Sequence, residues 1–255
     1  IVGILVLTAI IYIPAFVNEI TNWDDHAYIT ENPYAKDFTL ENFSKIFTEY
    51  YIGNYQPLTL LVYNIEYHLS GSDAKLYFIV NLLLHLLNTL LLFYLIQLLV
   101  KKYRFALVVA LLFAIHPMHV ESVAWLSELK DVLYTLFYFS SLIAYVKFIE
   151  NRQIKLILFS LLLFFLSLLS KGQAVTLSLS LLAIDFLKGR KILTWRVISE
   201  KIPYFVLSII FGIIAIDAQQ SGQAVAVQHA DNFFLQMIYA AYAYSEYVIR
   251  LLVPY

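Results

Sequence analysis

One stretch of this chain, 76–100, carries no Asp, Glu, Lys or Arg, and it exceeds the roughly 20 apolar residues that a helix needs to cross a bilayer. Further apolar runs surround it, and none shows the alternation of a membrane barrel. The composition agrees, because 61% of the residues are hydrophobic, only 14% are charged and the mean hydropathy is +0.75. These features predict an all-α, polytopic integral membrane protein.

Charge and cysteine content exclude several classes of function. The net charge is -1 and the sequence pI is about 6.7, so no basic face is available for nucleic acid. The chain has no cysteine, which removes disulfides, thiolate nucleophiles and cysteine metal ligands.

The apolar runs predict one transmembrane domain over 1–255, a bundle of about eight helices. The first run, 1–17, is also typical of a signal-peptide core, but the later spans favour a transmembrane helix. A polar loop is expected at 217–232. Within 76–253 we place the remaining helices at 76–100, 105–115, 132–146, 156–169, 174–187, 202–216 and 233–253.

The segment 18–75 is a large polar loop in which acidic residues outnumber basic ones. Part of it has apolar residues at helical spacing, opposite Glu41, Lys45 and Glu49. These apolar residues are Leu40, Phe43, Ile46, Phe47, Tyr50 and Tyr51. The pattern predicts an amphipathic helix that lies on the membrane surface.

The basic residues indicate the orientation, because most of them fall in loops that alternate helices place on one side. They are Lys101, Lys102, Arg104, Lys147, Arg152, Lys155, Lys188, Arg190, Lys191, Arg196 and Lys201. By the positive-inside rule this side is cytoplasmic. The loop 18–75 is therefore expected in the periplasm, if the chain lies in a bacterial inner membrane, or in the lumen of the endoplasmic reticulum.

Three polar insertions fall on the predicted outer face: Asp24 with Asp25, the segment 116–131, and Lys171 with Gln173. The helices on either side of Lys171 each rise only about 21 Å, against a hydrocarbon core of roughly 30 Å. Lys171 is therefore expected below the outer surface, where an ammonium needs a carboxylate or a ligand phosphate as partner. The Asp24 and Asp25 pair also fits a solvated turn.

The run 105–115 provides only about 17 Å of helix before His116 and Pro117 interrupt it. A single helix through 116–131 would not place all its charges on one face, so we expect a short interfacial helix or loop there. His116 and His119 would share a face as packing residues or as a ligand-binding pair. No third ligand has metal-site spacing, so no metal site is predicted and the need for a divalent cation stays open.

Five motifs in this order resemble a known family: Trp23-Asp24-Asp25, Tyr55-Gln56-Pro57, His116-Pro117-Met118-His119-Val120-Glu121, Ser127-Glu128-Leu129-Lys130-Asp131 and Ser170-Lys171-Gly172-Gln173. The chain resembles the membrane region of the transmembrane and tetratricopeptide-repeat O-mannosyltransferases and their bacterial relatives, within the GT-C superfamily. Leu129 stands where the family usually has arginine, and Gly172 stands where bacterial relatives often have proline.

The resemblance implies an inverting glycosyltransferase with a GT-C-type bundle. Such an enzyme moves a sugar, typically mannose, from a polyprenyl-phosphate carrier to a Ser or Thr hydroxyl of an exported protein. It also implies a tetratricopeptide-repeat domain beyond the C-terminal end of the sequence.

Sugar transfer from a phosphate ester needs a base for the hydroxyl and positive groups for the leaving phosphate. We expect Asp24 as the base with Asp25 in support, although the sequence barely separates the two. The phosphate ligands would be His116, His119, Lys130 and Lys171. Supporting roles fall to Glu121, Asp131 and Gln173, and contacts with the sugar or acceptor to Trp23, Tyr55 and Gln56.

Two other functions stay open. A transporter or flippase for lipid-linked or anionic solutes would place polar residues in both halves of the bundle, whereas here Asp185 is the exception to an outer-face concentration. An inactive membrane anchor for a repeat domain would show no saturable binding of the carrier lipid.

Overall fold

The computed structural model describes residues 1–21, 23–37, 39–222 and 233–253. This part of the chain is built from helices, and its one β feature is an isolated bridge between Tyr51 and Asn54. The α-helices are α1 Val2–Tyr12, α2 Pro33–Lys36, α3 Leu40–Thr48, α4 Pro57–Ser70, α5 Ala74–Val100, α6 Tyr103–Ile115, α7 Val120–Ala124, α8 Leu129–Asn151, α9 Ile154–Ser170, α10 Leu177–Leu187, α11 Trp195–Ser199, α12 Ile202–Ser221 and α13 Phe233–Leu252.

Three helical stretches are long and apolar enough to cross a membrane: Ala74–Val100, Leu126–Asn151 and Trp195–Ser221. The helices Tyr103–Ile115 and Pro117–Ala124 are long and apolar enough to cross a membrane only when they are taken as one span, and they are bent by 52° relative to each other. The helical, membrane-embedded class predicted from the sequence is therefore confirmed, and the number of about eight spans stays a prediction.

Shorter apolar helices occupy Val2–Val17, Ile154–Ser170 and Gly172–Leu187, close to the predicted bounds. The last predicted span coincides with α13, which is not among the helices that meet the criterion. The loop predicted at 217–232 begins later than expected, because α12 continues to Ser221, and residues 223–232 lie outside the described part.

The loop 18–75 folds into several helices that pack together. Helix α3 covers Leu40–Thr48 of the predicted amphipathic helix, with Ile46 buried and Leu40 91% exposed, whereas Tyr50 and Tyr51 lie beyond its end. The Tyr55 phenol donates to the carbonyl oxygen of Phe47 at 3.0 Å, which holds the end of α3 near the start of α4. Whether α3 lies on a membrane surface stays a prediction.

Three polar residues on α5 connect it to its neighbours. Asn81 and Asn88 donate to the carbonyl oxygens of Trp125 and Val132, at 3.3 and 2.8 Å. The Nε2 atom of His85 lies 3.0 Å from the carbonyl oxygen of Ala114. These three residues therefore form hydrogen bonds between helices, as polar side chains in membrane helices commonly do.

Candidate active site

The two adjacent carboxylates, Asp24 and Asp25, have opposite environments. Asp25 is fully buried, and it accepts hydrogen bonds from the backbone N–H and the hydroxyl of Thr21, at 2.9 and 2.8 Å. Its other oxygen accepts from the Ser127 N–H at 2.9 Å. Asp24 is exposed and has no hydrogen-bond partner in the described part of the chain. Asp25 therefore fastens the first loop to the bundle, and Asp24 is the carboxylate that a ligand can reach.

The ring of Trp23 packs edge-on against Trp125, with 5.5 Å between the centroids. Trp23 is 76% exposed, and the indole N–H of Trp125 is buried without a partner among the described residues. The contact brings the Asp24 segment beside the turn that carries Trp125. Trp125 was not among the site residues predicted from the sequence.

Two lysines from different elements meet between two carboxylates. The Lys130 ammonium lies 2.8 Å from Glu128 and donates to the Ser127 carbonyl oxygen at 3.2 Å. The Lys171 ammonium pairs with Asp131 and lies 3.6 Å from the other oxygen of Glu128. All four side chains are largely shielded from solvent, since their exposed fractions range from 11% to 25%. The partner that the sequence required for Lys171 is thus a pair of carboxylates.

Local geometry explains how Lys130 and Glu128 come together. Residues Leu126–Glu128 form a 3-10 turn and α8 begins at Leu129, so the two residues do not lie on one regular helix. The segment after His116 contains the 3-10 turn Pro117–His119 and the short helix α7. The expectation of a short helix or loop there, rather than a continuous span, is confirmed in structure.

Lys171 lies in the break between α9 and α10, and α4 helps to hold that break. The Thr59 hydroxyl, which is buried, donates to the carbonyl oxygen of Ser170 at 2.9 Å. The phenol of Tyr63, also buried, donates to the carbonyl oxygen of Leu126 at 3.3 Å. The first loop therefore contacts both segments that carry the lysines.

A cavity of about 390 Å³ opens beside Lys171. Its polar lining includes Asn54, Tyr55, Gln56, Gln173 and Gln219. The side-chain amide nitrogen of Gln56 is buried and makes no hydrogen bond of normal length and angle in the described part of the chain, although the amide lies beside the Tyr28 phenol. A buried amide without such a bond is uncommon, so it marks a hydrogen-bond donor at the wall of the cavity. Four predicted site residues, including Lys171, thus share one cavity.

The predicted histidines lie farther from this cavity. His119 lines a smaller cavity of about 110 Å³ together with Asp131 and Ser122, and its ring centroid lies 6.5 Å from that of His116. The Nε2 atom of His116 lies 3.1 Å from the carbonyl oxygen of Leu251. Glu121 is exposed and forms no ion pair with either lysine in the described structure. His119 shares its cavity with Asp131, which forms an ion pair with Lys171.

Tyr28 joins the parts of the site, and sequence reasoning did not identify it. Lys130 lies over its ring at 5.1 Å, and Asn54 donates to its phenol at 3.3 Å. Burial raises the pKa of Tyr28 to about 12, and the charges of Asp24 and Glu128 add to the rise. The phenol is therefore neutral at physiological pH. The sequence gave no reason to single out Tyr28 as a site residue, because tyrosines are frequent throughout the chain.

The arrangement offers three kinds of chemical group on one side of the bundle. An exposed carboxylate at Asp24 can accept a proton. The Lys130 ammonium has three donors, of which Glu128 and Ser127 engage two, and it also lies over the Tyr28 ring. The buried amide of Gln56 can bind a hydroxyl or a phosphate oxygen. In the described residues, no group of three or more His, Cys, Asp and Glu is arranged to hold a metal ion.

Comparison with known proteins places most of this bundle in a described family. Residues 56–216 match the family model described as dolichyl-phosphate-mannose-protein mannosyltransferase. Asp24 and Asp25 precede the matched range.

Curated relatives carry the same kind of description. A protein O-mannosyl-transferase of Caenorhabditis elegans is 32% identical over 179 residues, which cover 66% of this chain and 25% of that protein. The protein O-mannosyl-transferase TMTC1 of Homo sapiens is 36% identical over 99 residues, which are 38% of this chain and 11% of the relative. The Tmtc1 protein of Drosophila melanogaster is 30% identical over 124 residues, 49% of this chain and 14% of the relative.

The chain thus spans a quarter or less of the length of these three relatives. No solved structure matches.

Proposed function

Because the chain belongs to the dolichyl-phosphate-mannose-protein mannosyltransferase family, we propose that it is the membrane domain of a protein O-mannosyltransferase. The donor would be mannose on a polyprenyl phosphate, and the acceptor a Ser or Thr hydroxyl of an exported protein. The reaction would take place on the extracytoplasmic side of the membrane. The names of the curated relatives support the activity.

In the proposed step, the acceptor oxygen attacks the anomeric carbon of the sugar and its proton passes to Asp24. The bond between that carbon and the phosphate oxygen breaks, so the configuration inverts and polyprenyl phosphate leaves with the electron pair. Asp24 suits the role of base because it is exposed, whereas both Asp25 oxygens already accept hydrogen bonds. Asp25 acts as a positioning residue.

The donor phosphate would bind at Lys130 and Lys171. Each lysine is paired with a carboxylate, and together Glu128, Lys130, Asp131 and Lys171 carry no net charge. The phosphate therefore competes with Asp131 for Lys171 and engages the third donor of Lys130 in competition with the Tyr28 ring. As the phosphate leaves it gains negative charge, and these ammonium groups stabilise that charge in a site shielded from water.

The sugar or the acceptor would occupy the cavity of about 390 Å³ beside Lys171. In this cavity the buried amide of Gln56 and the ring of Tyr55 supply hydrogen-bonding and stacking groups for a hydroxylated ring. Trp23 does not line the cavity and would contact the sugar or the acceptor beside Asp24. Gln173 would support this cavity. His116, His119 and Glu121 keep their predicted roles in phosphate binding and support, with His119 reaching the site through the cavity that it shares with Asp131.

The observation that carries the proposal is the contrast between Asp24 and Asp25. Asp24 is exposed without a hydrogen-bond partner in the described residues, whereas Asp25 is hydrogen-bonded to Ser127, and both precede two lysines that are shielded from solvent. The test is mannose transfer from polyprenyl-phosphate mannose to a Ser/Thr peptide by the purified chain. The variant Asp24→Asn should lower turnover about 100-fold to 10,000-fold, as expected for loss of a general base. Asp37→Asn removes an exposed carboxylate from the same loop and should leave turnover unchanged.

The same assay separates the other functions. Full transfer by Asp24→Asn would reject this mechanism. A transporter would instead move carrier lipid across liposomes without transferring sugar, and an inactive anchor would bind no carrier lipid saturably. The structure gives the transporter little support, because the polar group at the other end, around Asp185, is paired internally with Arg190 and Lys201.

A further inference from the structure

A second surface lies toward the opposite end of α12. Here an apolar groove of about 360 Å³ is lined by residues that include Leu182, Ile192, Ile198, Phe205 and Val206. On α12 the groove is lined between Ile202 and Ile209, and the amide-lined cavity between Gly212 and Gln219. The two therefore occupy successive parts of the same helix and share no lining residue.

Exposed basic and apolar side chains stand together at the edge of this groove. Leu193 is 90% exposed and Trp195 is 74% exposed. Lys191 is exposed and has no ion-pair partner in the described part of the chain. The Arg196 side chain is 73% exposed and reaches Glu200 only at 3.9 Å. Aromatic and basic side chains together with apolar ones are typical of the membrane–water interface.

The nearby acids do not neutralise Lys191 and Arg196. Asp185 is fully buried and pairs with Arg190 at 2.9 Å and with Lys201. Glu200 pairs with Arg190 at 2.6 Å. Lys201 lines the groove, but its ammonium is directed to Asp185. The edge of the groove therefore presents uncompensated positive charge next to an apolar surface.

We propose that this groove binds one anionic phospholipid from the leaflet at this end of the bundle. Its acyl chain lies in the groove, and its headgroup phosphate is held by Lys191 and Arg196. The polyprenyl tail of the sugar donor fits less well, because its phosphate would stay at the distant lysines of the proposed active site. If the polyprenyl tail occupied the groove, no anionic group would be bound to Lys191 and Arg196. The site does not depend on the proposed catalytic activity.

The test is binding of dioleoyl-phosphatidylglycerol to the purified full chain in detergent, followed by native mass spectrometry, with dioleoyl-phosphatidylcholine for comparison. We expect phosphatidylglycerol to bind more tightly. Replacing both basic residues, Lys191→Gln with Arg196→Gln, should weaken it about 30-fold, since each such residue near an anionic surface contributes about a fivefold factor. The matched control Lys102→Gln with Arg104→Gln removes two exposed basic residues of another loop and should leave binding unchanged.

A second pair of variants tests the groove itself without changing charge. Val206→Trp, or Ile209→Trp should the first fail to fold, places a bulky ring in the groove and should also abolish phosphatidylglycerol binding. Retained binding in these variants would show a headgroup effect alone and overturn the proposal. Unchanged binding after loss of both basic residues would overturn it too. Displacement of phosphatidylglycerol by polyprenyl phosphate would assign the groove to the donor tail instead.

Discussion

Asp24 and Asp25 show how far two neighbouring identical residues can differ. Asp24 has a free carboxylate at the surface, whereas Asp25 is buried and accepts three hydrogen bonds. A buried carboxylate persists only where such donors replace its water. This contrast supports Asp24 as the base, a choice that the sequence left almost open.

The change Asp25→Asn should destabilise the fold by about 2–4 kcal/mol. The amide would place N–H donors against the donors of Thr21 or Ser127, and the charge-assisted bonds would be lost. Thermal unfolding in detergent measures the effect, and Asp24→Asn should show almost none. Equal stability in the two variants would contradict the positioning role of Asp25.

Glu66 is a buried acid that the sequence analysis did not single out. It lies on α4, it is 3% exposed, and neither of its carboxylate oxygens has a hydrogen-bond partner in the described part of the chain. Burial raises the pKa of Glu66 well above its usual value of about 4.5. The folded protein therefore holds a proton on Glu66 at pH values where the unfolded chain has released it.

Because the pKa of Glu66 is higher in the folded than in the unfolded protein, the free energy of unfolding should fall as the pH rises. The favourable contribution of protonated Glu66 is fully present below the unfolded pKa near 4.5, and it is lost as pH rises through the higher folded pKa. Each unit of the shift corresponds to about 1.4 kcal/mol. Glu66→Gln should remove this dependence, so the difference in melting temperature between wild type and variant should change with pH.

The exposed Glu41 serves as the matched control for Glu66. Its carboxylate pairs with Lys45 at 2.7 Å, and that hydrogen bond lowers the pKa of Glu41. The pH dependence of its contribution to the free energy of unfolding is therefore opposite to that of Glu66. The stabilisation from Glu41 is present above its unfolded pKa and is lost on acidification, and exposure to solvent keeps it small. A pH-independent difference in melting temperature for Glu66→Gln would show that folding does not raise the pKa of Glu66.

At the scale of the elements, helix breaks place the charged groups of the site. The breaks at His116 and Lys171 each end an apolar helix early. The break at Lys171 gives that lysine to the cluster, and the 3-10 turn Leu126–Glu128, which follows the break at His116, gives Glu128. Their positions follow from the sequence, because proline and polar residues interrupt the apolar runs. That Lys171 meets Asp131 and Glu128 follows from the packing of α8 against α9.

One wall of the amide-lined cavity depends on a close backbone contact. A Cβ atom added to Gly222, at the end of α12, would lie 2.5 Å from the Cα atom of Gly53. Gly53 itself has φ +67, a conformation that favours glycine. Two glycines therefore let the 51–54 turn approach α12 closely enough to form the cavity.

Gly222→Ala should destabilise the protein by about 1–3 kcal/mol through this clash, and should lower mannose transfer by displacing Asn54 and Gln56. The control is Gly212→Ala on the same helix, where an added Cβ meets nothing within 4 Å. There the gain in helix propensity predicts a change of at most about 1 kcal/mol in the stabilising direction. The melting temperatures of the two variants are compared with that of the wild type. An unchanged melting temperature for Gly222→Ala would show that the close contact with Gly53 is absent.

At the scale of the whole molecule, polar groups gather at two ends of the bundle with different character. The proposed active-site end has an accessible carboxylate, partly shielded lysines and a polar cavity. The other end has buried ion pairs around Asp185 and exposed basic side chains outside them. This asymmetry agrees with the orientation expected from the positive-inside rule, which stays a prediction.

The absence of native cysteine makes that orientation directly measurable. A single cysteine at the exposed Asp37 should react with a membrane-impermeant maleimide on intact spheroplasts. A single cysteine at the exposed Lys102 should react only after the membrane is permeabilised. Labelling in the reverse order would place the proposed active site in the cytoplasm and reject an extracytoplasmic reaction.

The sequence by itself determined the membrane class and the bounds of most helices, and it indicated the segments that carry the candidate site. These follow from local properties, because the length of an apolar run and the residue that interrupts it set where a helix begins and ends. The polar motifs also carried the family resemblance, which the match over 56–216 confirmed.

The tertiary structure alone decided which residues meet. It fastened Asp25 to Ser127, paired Lys130 with Glu128, placed Tyr28 among the site groups and left the Gln56 amide nitrogen without a hydrogen bond of normal length and angle in the described residues. These contacts join residues that are distant in the chain or that lie across a change of helix type. Their formation depends on how separate helices pack and shield charge, which neither hydrophobic periodicity nor motif spacing records.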